Sequence, residues 1–490
     1  MAVTSEIFDV ERLDLAGTVE PIVRGGRHQF PRLAKAFHDI RQISVLGWGP
    51  QARAQALNLR DSLAGTSITV KVGLRPGSTS RADVERAGFT ERDGTSGDWL
   101  ELAATGDLVL LLVSDAAQSE QFREIFERLR PGTTLGLSHG FLVGHLRTIG
   151  ESFPEDVNVI GVCPKGMGDS VRRLYVQGAE LHGAGINTSF AVHQDVDGHS
   201  TDRALAWAIG IGAPYTFETT LENEYRSDLV GERAMLLGAV HGMVESLYQR
   251  YRLEGDPPAS AFRRSSETIT GTLAPLISSR GLTAVRTALD AADRPPFDRA
   301  YDATYGPVHD LVTEIYDEVD SGNELRSVIL AERRSRAAPL GEIGRSSMWV
   351  EGRAARAAER ASGSGRPGAR PIEPLTAGVF VAGMMAQIDV LAERGHPWSE
   401  IVNESVVEAV DSLLPYMHAR DVAYMVDNCS MTARLGARKW GPRFHAALEQ
   451  LVYPSLGASA VHARRFADHP VHAVLATLAP LRPPIDIAVT

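Results

Sequence analysis

The stretch ISVLGWGPQARAQALNLRDSL, residues 43–63, decides the fold of the first half of the chain. It combines an apolar strand, a turn with the spacing Gly47-x-Gly49-x-x-Ala52 and a helical segment. Glycines at these positions allow a tight turn and let a pyrophosphate approach the N-terminus of the helix. A glycine-rich surface turn is the alternative interpretation. We predict a dinucleotide-binding turn, and its cofactor-binding residues are Gly47, Trp48, Gly49, Pro50 and Gln51.

Around this turn, short β-branched runs alternate with helical stretches from residue 40 to residue 220. Near-continuous apolar strands separated by helices indicate a parallel sheet buried on both faces. After about residue 221 the chain shows long helical patterns instead. The predicted strands are 43–47, 68–74, 107–113, 133–138, 158–163 and 189–194. The predicted fold is an α/β Rossmann-type domain over residues 1–220, followed by an all-α domain over residues 221–490.

The helical half shows signs of an internal repeat. A stretch rich in Gly, Pro, Ser and Arg, residues 353–374, interrupts it and indicates a mobile connector. On either side of it, residues 236–251 resemble 381–396, and residues 265–273 resemble 402–410. We interpret these similarities as a duplication of one helical unit.

The cofactor type is encoded where the second strand ends, in KVGLRPGSTS (71–80). NAD-binding proteins place a carboxylate there for the ribose 2′-hydroxyl, but no acidic residue occurs before Asp83. Arg75, Ser78 and Ser80 suit a 2′-phosphate instead, because a guanidinium and two hydroxyls can all donate to it. An arginine that merely decorates the surface is the alternative. The register after the dinucleotide turn favours NADPH as the cofactor.

Further polar residues follow the later strands. Ser114 and Asp115 come where the strand in LLLVSDAAQ (110–118) ends, and the nicotinamide half is expected there. His139 in SHGF and Lys165 in CPKGMGDSVRR follow the next two strands and should lie at the same edge of the sheet. The alternatives are a buried core histidine and a solvated loop lysine. We take His139 and Lys165 as candidate catalytic residues.

Two pairs of carboxylates lie in the helical half: Asp228 with Glu232, and Glu404 with Glu408. Residues four apart project from the same face of a helix, where like charges repel. Four carboxylates cannot converge without cations. Hard oxygen ligands with no accompanying His or Cys cluster favour Mg²⁺ or Mn²⁺ over zinc. The alternative for each pair is an exposed acidic face.

Composition excludes several classes of function. The 490 residues are 43% hydrophobic and carry a formal net charge of −11, which disfavours nucleic-acid binding. Only two cysteines occur, Cys163 and Cys429, so a reducing compartment is expected. The acidic N-terminus resembles neither a signal peptide nor a transit peptide. We find no apolar run of the roughly 20 residues that a membrane span requires. We predict a cytoplasmic protein, with the plastid stroma as the alternative if the chain is a mature form.

Several long motifs resemble those of ketol-acid reductoisomerases, specifically the long, plant-type branch with a duplicated helical domain. The similarity runs from about residue 20 to about residue 447, outside the 353–374 connector. The motifs are VIGVCPKGMGDSVRRLYVQG, FAVHQDVDG, YRSDLVGERAMLLGAVHG, NESVVEAVDSL and MVDNCSMTARLGARKW.

The resemblance implies an activity and assigns roles. The family converts 2-acetolactate to 2,3-dihydroxyisovalerate, and acetohydroxybutyrate to its homologue, in valine and isoleucine synthesis. A Mg²⁺-assisted alkyl migration precedes reduction by NADPH. By resemblance, Asp228 bridges two Mg²⁺ ions, Glu232 binds one of them, and Glu404 and Glu408 complete the shell of the other. By resemblance, Ser430 contacts the substrate. Independently of the resemblance, we expect a homodimer by default, although the apparent duplication would let a single subunit supply both carboxylate pairs.

Two positions depart from the family pattern. Pro50 removes one N–H that could contact phosphate, although proline suits the first turn of a helix. Asp169 adds a negative charge near Lys165. The rival enzyme is a metal-independent 3-hydroxyacid dehydrogenase, which would leave the paired carboxylates unexplained. A non-enzymatic helical protein would leave Arg75, Lys165 and Ser430 without a role.

Overall fold

The computed structural model describes residues 3–181, 183–361, 371–457 and 466–482. They form two compact units. The first contains the chain up to Tyr225 and the short stretch that begins at Leu478, and the second runs from Arg226 to Thr477. The boundary lies inside the helix Leu221–Arg233, just beyond the domain limit placed at residue 220 from the sequence.

The first unit is built on a ten-stranded sheet in the order β1-β2-β10-β9-β8-β7-β6-β3-β4-β5. All six strands predicted from the sequence are present, as β3, β4 and β6 to β9, and the predicted α/β fold class is confirmed. The strands are β1 (Val10–Leu15), β2 (Thr18–Arg24), β3 (Gln42–Leu46), β4 (Thr69–Leu74), β5 (Ser96–Asp98), β6 (Leu108–Leu111), β7 (Thr134–Leu137), β8 (Asn158–Pro164), β9 (Thr188–Gln194) and β10 (Tyr215–Glu218).

The sheet is parallel from β5 through β4, β3, β6 and β7 to β8. The prediction of a parallel sheet is wrong for residues 189–194, because β9 runs antiparallel to β8, with Ile160 opposite Val192. An apolar run buried on both faces looks the same in either direction, so the sequence does not fix the orientation. β2 pairs antiparallel with both β10 and β1.

Helices cover both faces of this sheet. Alternate residues of β6 enter two different cores: Leu108 and Leu110 pack on one side, and Val109 and Leu111 on the other. This is the burial that near-continuous apolar strands predicted. The α-helices of this unit are Phe30–Ala36, Pro50–Ser62, Arg81–Arg86, Trp99–Thr105, Asp115–Phe126, Phe141–Ile149, Gly168–Gln177 and Ser200–Gly210. Leu221–Arg233 leads into the second unit.

The second unit is helical. Its longest helix, Arg294–Asp320, packs against Pro374–Glu393, and Gly238–Leu253 packs against Met431–Ala447. The other α-helices are Pro258–Phe262, Ala274–Arg280, Thr283–Thr287, Asn323–Ala337, Ser347–Ala361, Trp398–Val402, Leu414–Arg420, Val422–Asn428 and Val471–Leu478. π-Helical segments cover Arg263–Leu273, Asn403–Val407, Ala409–Leu413 and Leu448–Val452.

A succession of elements recurs in this unit at a constant separation of 140 residues. Pro258–Phe262, the π-helical Arg263–Leu273 and Ala274–Arg280 find counterparts in Trp398–Val402, the π-helical residues 403–413 and Leu414–Arg420. The segment pairs matched in the sequence have separations that differ from 140 residues by a few residues. The duplication itself stays a prediction.

Two expectations from the sequence need correction. The predicted connector, residues 353–374, is helical up to Ala361, and residues 362–370 lie outside the described part of the chain. Contrary to the expectation that no apolar run is long enough, Pro374–Glu393 has the length and hydropathy of a membrane span. Because 83% of its apolar window is buried inside the protein, the helix is typical of a domain core.

Candidate active site

The dinucleotide turn has the backbone that its glycines predicted. Gly47 has φ +108°, and a Cβ there would lie 2.9 Å from the carbonyl oxygen of Leu112. Gly49 caps the helix Pro50–Ser62, and a Cβ on it would meet nothing within 4 Å. Pro50 takes the first helical position, where an N–H makes no intrahelical bond. The open N-terminus of this helix fits a pyrophosphate.

The turn after β4 is ordered by its own residues. The Ser78 N–H donates to the Arg75 carbonyl oxygen (3.1 Å), across Pro76 and Gly77, whose φ is +73°. Proline followed by a glycine with positive φ is typical of a type II turn. The Ser78 hydroxyl accepts from the Ser80 N–H (3.3 Å). The Arg75 side chain is exposed and makes no ion pair within the described residues, so the turn presents donors to a ligand.

The loop after β8 packs on the dinucleotide turn. Gln51 Nε2 donates to the Gly166 carbonyl oxygen (2.8 Å), and a Cβ on Gly168 would lie 2.2 Å from the Pro50 carbonyl oxygen. Asp169 pairs with Arg53 (2.6 Å), so its charge is directed to the helix that follows the turn and not to Lys165.

Trp48 and Ser114 also face this edge of the sheet, since β6 lies next to β3. Trp48 packs edge-on against Phe89, with ring centroids 5.8 Å apart. Ser114 is exposed and occupies the N-cap position of the helix that begins at Asp115, without a capping hydrogen bond from its side chain. These residues continue the surface offered by the dinucleotide turn.

His139 and Lys165 both contact the carboxylate of a third residue, Glu224. His139 Nδ1 lies 3.1 Å from Glu224 Oε2, and Lys165 Nζ lies 3.4 Å from Glu224 Oε1. The Gly140 N–H donates to the same carboxylate (2.5 Å). Gly140 is required here, because a Cβ would lie 2.1 Å from the Leu221 carbonyl oxygen. The strand ends and the start of the helix Leu221–Arg233 therefore build one buried polar cluster.

Charge keeps Glu224 ionised despite its burial. Burial raises the pKa of the carboxyl, but His139 and Lys165 outweigh that effect and lower the pKa of Glu224 well below its usual range. Lys165 and Glu224 are each only 2% exposed. A buried charge pair of this kind is costly unless its hydrogen bonds are satisfied, so the cluster is typical of a functional site.

In the second unit, the two predicted carboxylate pairs converge in part. One oxygen from each of Asp228, Glu404 and Glu408 lies within 4.8 Å of the others. Glu404 is fully buried and Glu408 is 8% exposed. At an effective dielectric constant of about 20, two charges at that separation repel by roughly 3.5 kcal/mol. A divalent cation removes this repulsion, and carboxylate oxygens are the ligands that Mg²⁺ prefers. These residues fit a bound metal ion.

Glu232 does not join that three-residue cluster. Its Oε1 accepts from the Ser430 hydroxyl (3.3 Å) and its Oε2 from Arg233 Nη1 (3.1 Å). Ser430 also caps the helix Met431–Ala447 by accepting from the Ala433 N–H (3.0 Å). Both oxygens of Glu232 are thus held by neighbours.

The pKa of the Cys429 thiol reflects burial and the negative charge of the nearby carboxylates. Desolvation of its thiol and the charges of Glu232, Glu408 and Asp228 raise the pKa of Cys429 to about 12. The thiol is therefore protonated at neutral pH.

Buried polar contacts tie the helices that carry the carboxylates. The Ser227 hydroxyl donates to Glu400 Oε1 (2.6 Å), one turn from Glu404 on its own helix. Gln387 accepts from the Met235 N–H (2.9 Å) and donates to the Ser405 hydroxyl (3.2 Å). Ser227, Gln387 and Glu400 are fully buried. These contacts fix the separation between Asp228 and the second carboxylate pair.

Comparison with known proteins identifies the family. The family model described as "Acetohydroxy acid isomeroreductase, NADPH-binding domain" matches residues 38–216, and "Ketol-acid reductoisomerase, C-terminal domain" matches residues 221–360. Chloroplastic ketol-acid reductoisomerases of Spinacia oleracea and Pisum sativum are each 52% identical to this chain. The alignments cover 99% of this chain, and 83% and 85% of those relatives. The chain belongs to the ketol-acid reductoisomerase family.

A solved structure of the family supports the assignment. An NADH-preferring ketol-acid reductoisomerase from an uncultured archean superposes with a TM-score of 0.57 at 25% identity. The superposition covers 66% of this chain and 95% of the archean relative's chain. The resemblance noted in the sequence is confirmed, including its plant-type character. It also extends beyond the limits set at residues 20 and 447, since the plant relatives align with 99% of the chain.

Family membership makes this chain an NADP-dependent oxidoreductase and isomerase, as predicted. The site residues chosen from the sequence fall into three groups: the NADPH turn, the His139–Lys165 edge, and the carboxylates with Ser430. Sequence reasoning missed Glu224, although it precedes Asp228 by four residues and continues the acidic spacing. It also missed Arg233, Gln387 and Glu400. Each has at least one partner that is distant in sequence, respectively Glu324, Met235 and Ser227, and no local pattern predicts such a contact.

Proposed function

We propose that this chain catalyses the Mg²⁺-dependent conversion of 2-acetolactate to 2,3-dihydroxyisovalerate with oxidation of NADPH, and the homologous reaction of 2-aceto-2-hydroxybutyrate. The observation that carries the proposal is the convergence of Asp228, Glu404 and Glu408 within 4.8 Å in a member of this family. Three buried or half-buried carboxylates at that spacing are costly without a cation.

Two Mg²⁺ ions would be held by the carboxylates of the second unit. Asp228 would serve both ions, Glu232 one of them, and Glu404 and Glu408 the other. When bound, the ions supply positive charge that favours loss of the substrate's hydroxyl proton and polarises its carbonyl group. Ser430, fixed by the Ala433 N–H and by Glu232, would orient a polar group of the substrate.

The residues of the first unit would bind NADPH and handle protons. Arg75, Ser78 and Ser80 would donate to the 2′-phosphate, and Gly47, Trp48, Gly49, Pro50 and Gln51, with Ser114 and Asp115, would line the rest of the cofactor. His139 and Lys165, held by the ionised Glu224, would supply donors beside the reacting oxygens. Bound NADPH supplies the hydride.

Cofactor preference differs among relatives, since one from Desulfosudis oleivorans, 36% identical, is named "Ketol-acid reductoisomerase (NAD(+))". NAD-binding proteins require an acceptor for the 2′-hydroxyl after the second strand. Here that turn offers an exposed guanidinium and two hydroxyls. This favours NADPH, in agreement with the matched NADPH-binding domain.

Assembly and location stay predictions. We retain the homodimer as the expected assembly, and a small-molecule substrate as the only partner, with neither nucleic acid nor membrane. The names of the spinach and pea relatives describe them as chloroplastic. This supports the plastid stroma, the alternative given above, over the cytoplasm.

A chelator experiment tests the proposed reaction. We expect NADPH oxidation with 2-acetolactate to stop after treatment with EDTA and to return when Mg²⁺ is added in excess. Calcium added in place of magnesium is the control for a general effect of divalent ions. Full turnover in EDTA would contradict the proposal and favour a metal-independent dehydrogenase.

A further inference from the structure

A series of contacting side chains with alternating charge ends at Glu232. Arg233 is fully buried and follows Glu232 directly along the helix Leu221–Arg233. Its Nη1 donates to Glu232 Oε2 (3.1 Å) and to the Leu229 carbonyl oxygen (3.2 Å). Its Nε donates to Glu324 Oε2 (2.8 Å). One guanidinium therefore connects Glu232 to a second, buried carboxylate.

Glu324 is itself held by side chains of the helix Met431–Ala447. Its Oε1 accepts from Trp440 Nε1 (3.0 Å) and from Lys439 Nζ. Burial raises the pKa of Glu324, but Arg233 and Lys439 outweigh that effect and lower it. The carboxylate is thus ionised, and the charges along the chain alternate from Lys439 to Glu232.

Glycine makes room for this arrangement. A Cβ on Gly436 would lie 2.9–3.0 Å from the Arg233 side chain, so the arginine lies directly against the backbone of Met431–Ala447. The same helix carries Ser430, which donates to the other oxygen of Glu232. The Glu232 carboxylate is therefore held on both sides by groups whose positions depend on one helix.

Stability alone does not account for these contacts. A buried ion pair often contributes no more than well-packed apolar residues would, and the bonds of Arg233 to Glu324 and to the Leu229 carbonyl oxygen do not involve Glu232. The additional hydrogen bond orients a carboxylate that lies one helical turn after Asp228, a member of the converging cluster. We propose that Arg233, held in place by Glu324, is a positioning residue that keeps the Glu232 carboxylate in its metal-binding orientation. This inference rests on the proposed role of Glu232 as a Mg²⁺ ligand.

The expected effect is on metal affinity. Groups that orient a metal ligand typically change metal affinity or activity by roughly 10–100-fold when they are altered. Once an ion is bound, its attraction itself holds Glu232. Loss of the Arg233 contact should therefore raise the Kd for Mg²⁺ about tenfold or more, while kcat at saturating Mg²⁺ changes by less than about threefold.

Two variants test this, because either alone could be misread. Arg233→Lys keeps the charge and loses the fork that joins Glu232 to Glu324, and Glu324→Gln keeps the shape and loses the anchoring charge. The metal-free proteins are titrated with Mg²⁺ by calorimetry, and NADPH oxidation is followed as a function of Mg²⁺ concentration. Thermal unfolding and NADPH binding show that each variant is folded.

The matched control is Arg203→Lys in the first unit, since Arg203 is equally buried (1% exposed) and pairs with Asp197. It should leave the Kd for Mg²⁺ unchanged. Asp228→Asn serves as the second reference. If Asp228→Asn loses Mg²⁺ binding while Arg233→Lys and Glu324→Gln bind normally, the inference is overturned. A loss of kcat without a change in Mg²⁺ affinity, or weakened binding in Arg203→Lys, also overturns it. If Asp228→Asn binds Mg²⁺ normally, the proposed function itself fails.

Discussion

At the scale of single residues, spacing identified the carboxylates but not their surroundings. The spacing of four residues predicts two pairs, Asp228 with Glu232 and Glu404 with Glu408. Of these four carboxylates, those of Asp228, Glu404 and Glu408 converge. The π-helical backbone around Glu404 and the orientation of Glu232 by Arg233 were not predicted. A π-helical turn depends on tertiary packing and is frequent at functional sites. Arg233 is adjacent to Glu232, but Glu324, which holds Arg233, is distant in sequence and leaves no periodic signal, so residue roles need the folded chain.

Replacing Asp228 should separate the two chemical steps. In Asp228→Asn we expect at least about a hundredfold loss of 2-acetolactate turnover, since loss of metal-derived stabilisation costs several kcal/mol and each 1.36 kcal/mol is about tenfold in rate. Reduction of 3-hydroxy-3-methyl-2-oxobutanoate should fall less, because no carbon migrates. Both substrates are assayed across a Mg²⁺ titration.

The comparison variants for this experiment are Glu408→Gln and Asp310→Asn. Glu408→Gln should lose less activity and recover in part at high Mg²⁺. Asp310 is an exposed carboxylate of the same unit, so its replacement should change neither activity. Near-normal acetolactate turnover by Asp228→Asn at low Mg²⁺ would rule out the two-metal mechanism.

At the scale of secondary-structure elements, periodicity predicted which strands exist better than it predicted their direction or the strands with which they pair. The six predicted strands are present because apolar runs bounded by turn residues are a strong signal. The hairpin β1–β2 was missed, although its turn, Ala16-Gly17, has two positive φ angles. Its strands, VERLDL and TVEPIVR, mix charged and apolar residues without strict alternation, and β2 contains a proline, so neither matches a simple strand pattern. Long-range pairing decided that β9 runs antiparallel to β8, and no local pattern encodes that choice.

In the recurring elements of the second unit, Glu404 and Glu408 have no acidic counterparts in the earlier succession. At the separation of 140 residues, Glu404 corresponds to Arg264 and Glu408 to Thr268. Arg264 bonds to Glu373 (3.0 Å) and Asp256 (2.8 Å) and lies over the ring of Tyr251. An arginine ion-pair network thus occupies the position that corresponds to the carboxylates proposed to bind metal.

The turn after β4 should determine cofactor preference as one element. In a variant with Arg75→Asp, Ser78→Ala and Ser80→Ala, the aspartate can accept from the 2′-hydroxyl of NADH and repels the 2′-phosphate of NADPH. We expect the KM for NADPH to rise by at least about tenfold and preference to shift toward NADH, since losing charge-assisted hydrogen bonds to phosphate costs roughly 1.5–3 kcal/mol each.

The matched control for that variant is Arg86→Asp, which places the same charge change at the far end of the helix Arg81–Arg86. Its KM values should stay close to those of the unaltered protein. Steady-state kinetics with both cofactors provide the measurement. A triple variant that kept its full preference for NADPH would show that the 2′-phosphate binds elsewhere.

At the scale of the whole molecule, the proposed ligands are divided between the two units. The residues assigned to NADPH all belong to the first unit, and those assigned to Mg²⁺ all belong to the second. The change in sequence pattern near residue 221 predicts a domain limit close to the boundary between these units. It could not predict that the chain returns to the first unit at Leu478, because a short C-terminal segment carries no signal for where it docks.

This division predicts separable effects of the two ligands on thermal unfolding. A ligand that binds only the folded protein stabilises it by about 2.7 kcal/mol at 100 times its Kd. NADPH and Mg²⁺ should therefore each raise the unfolding temperature of the unaltered chain. Asp228→Asn should lose the shift produced by Mg²⁺ and keep the one produced by NADPH, and the Arg75, Ser78 and Ser80 variant should show the reverse. Calorimetric scans with each ligand alone provide the measurement. If Asp228→Asn also lost the NADPH shift, the assignment of the two ligands to different units would be wrong, because a carboxylate in the second unit would then control cofactor binding in the first.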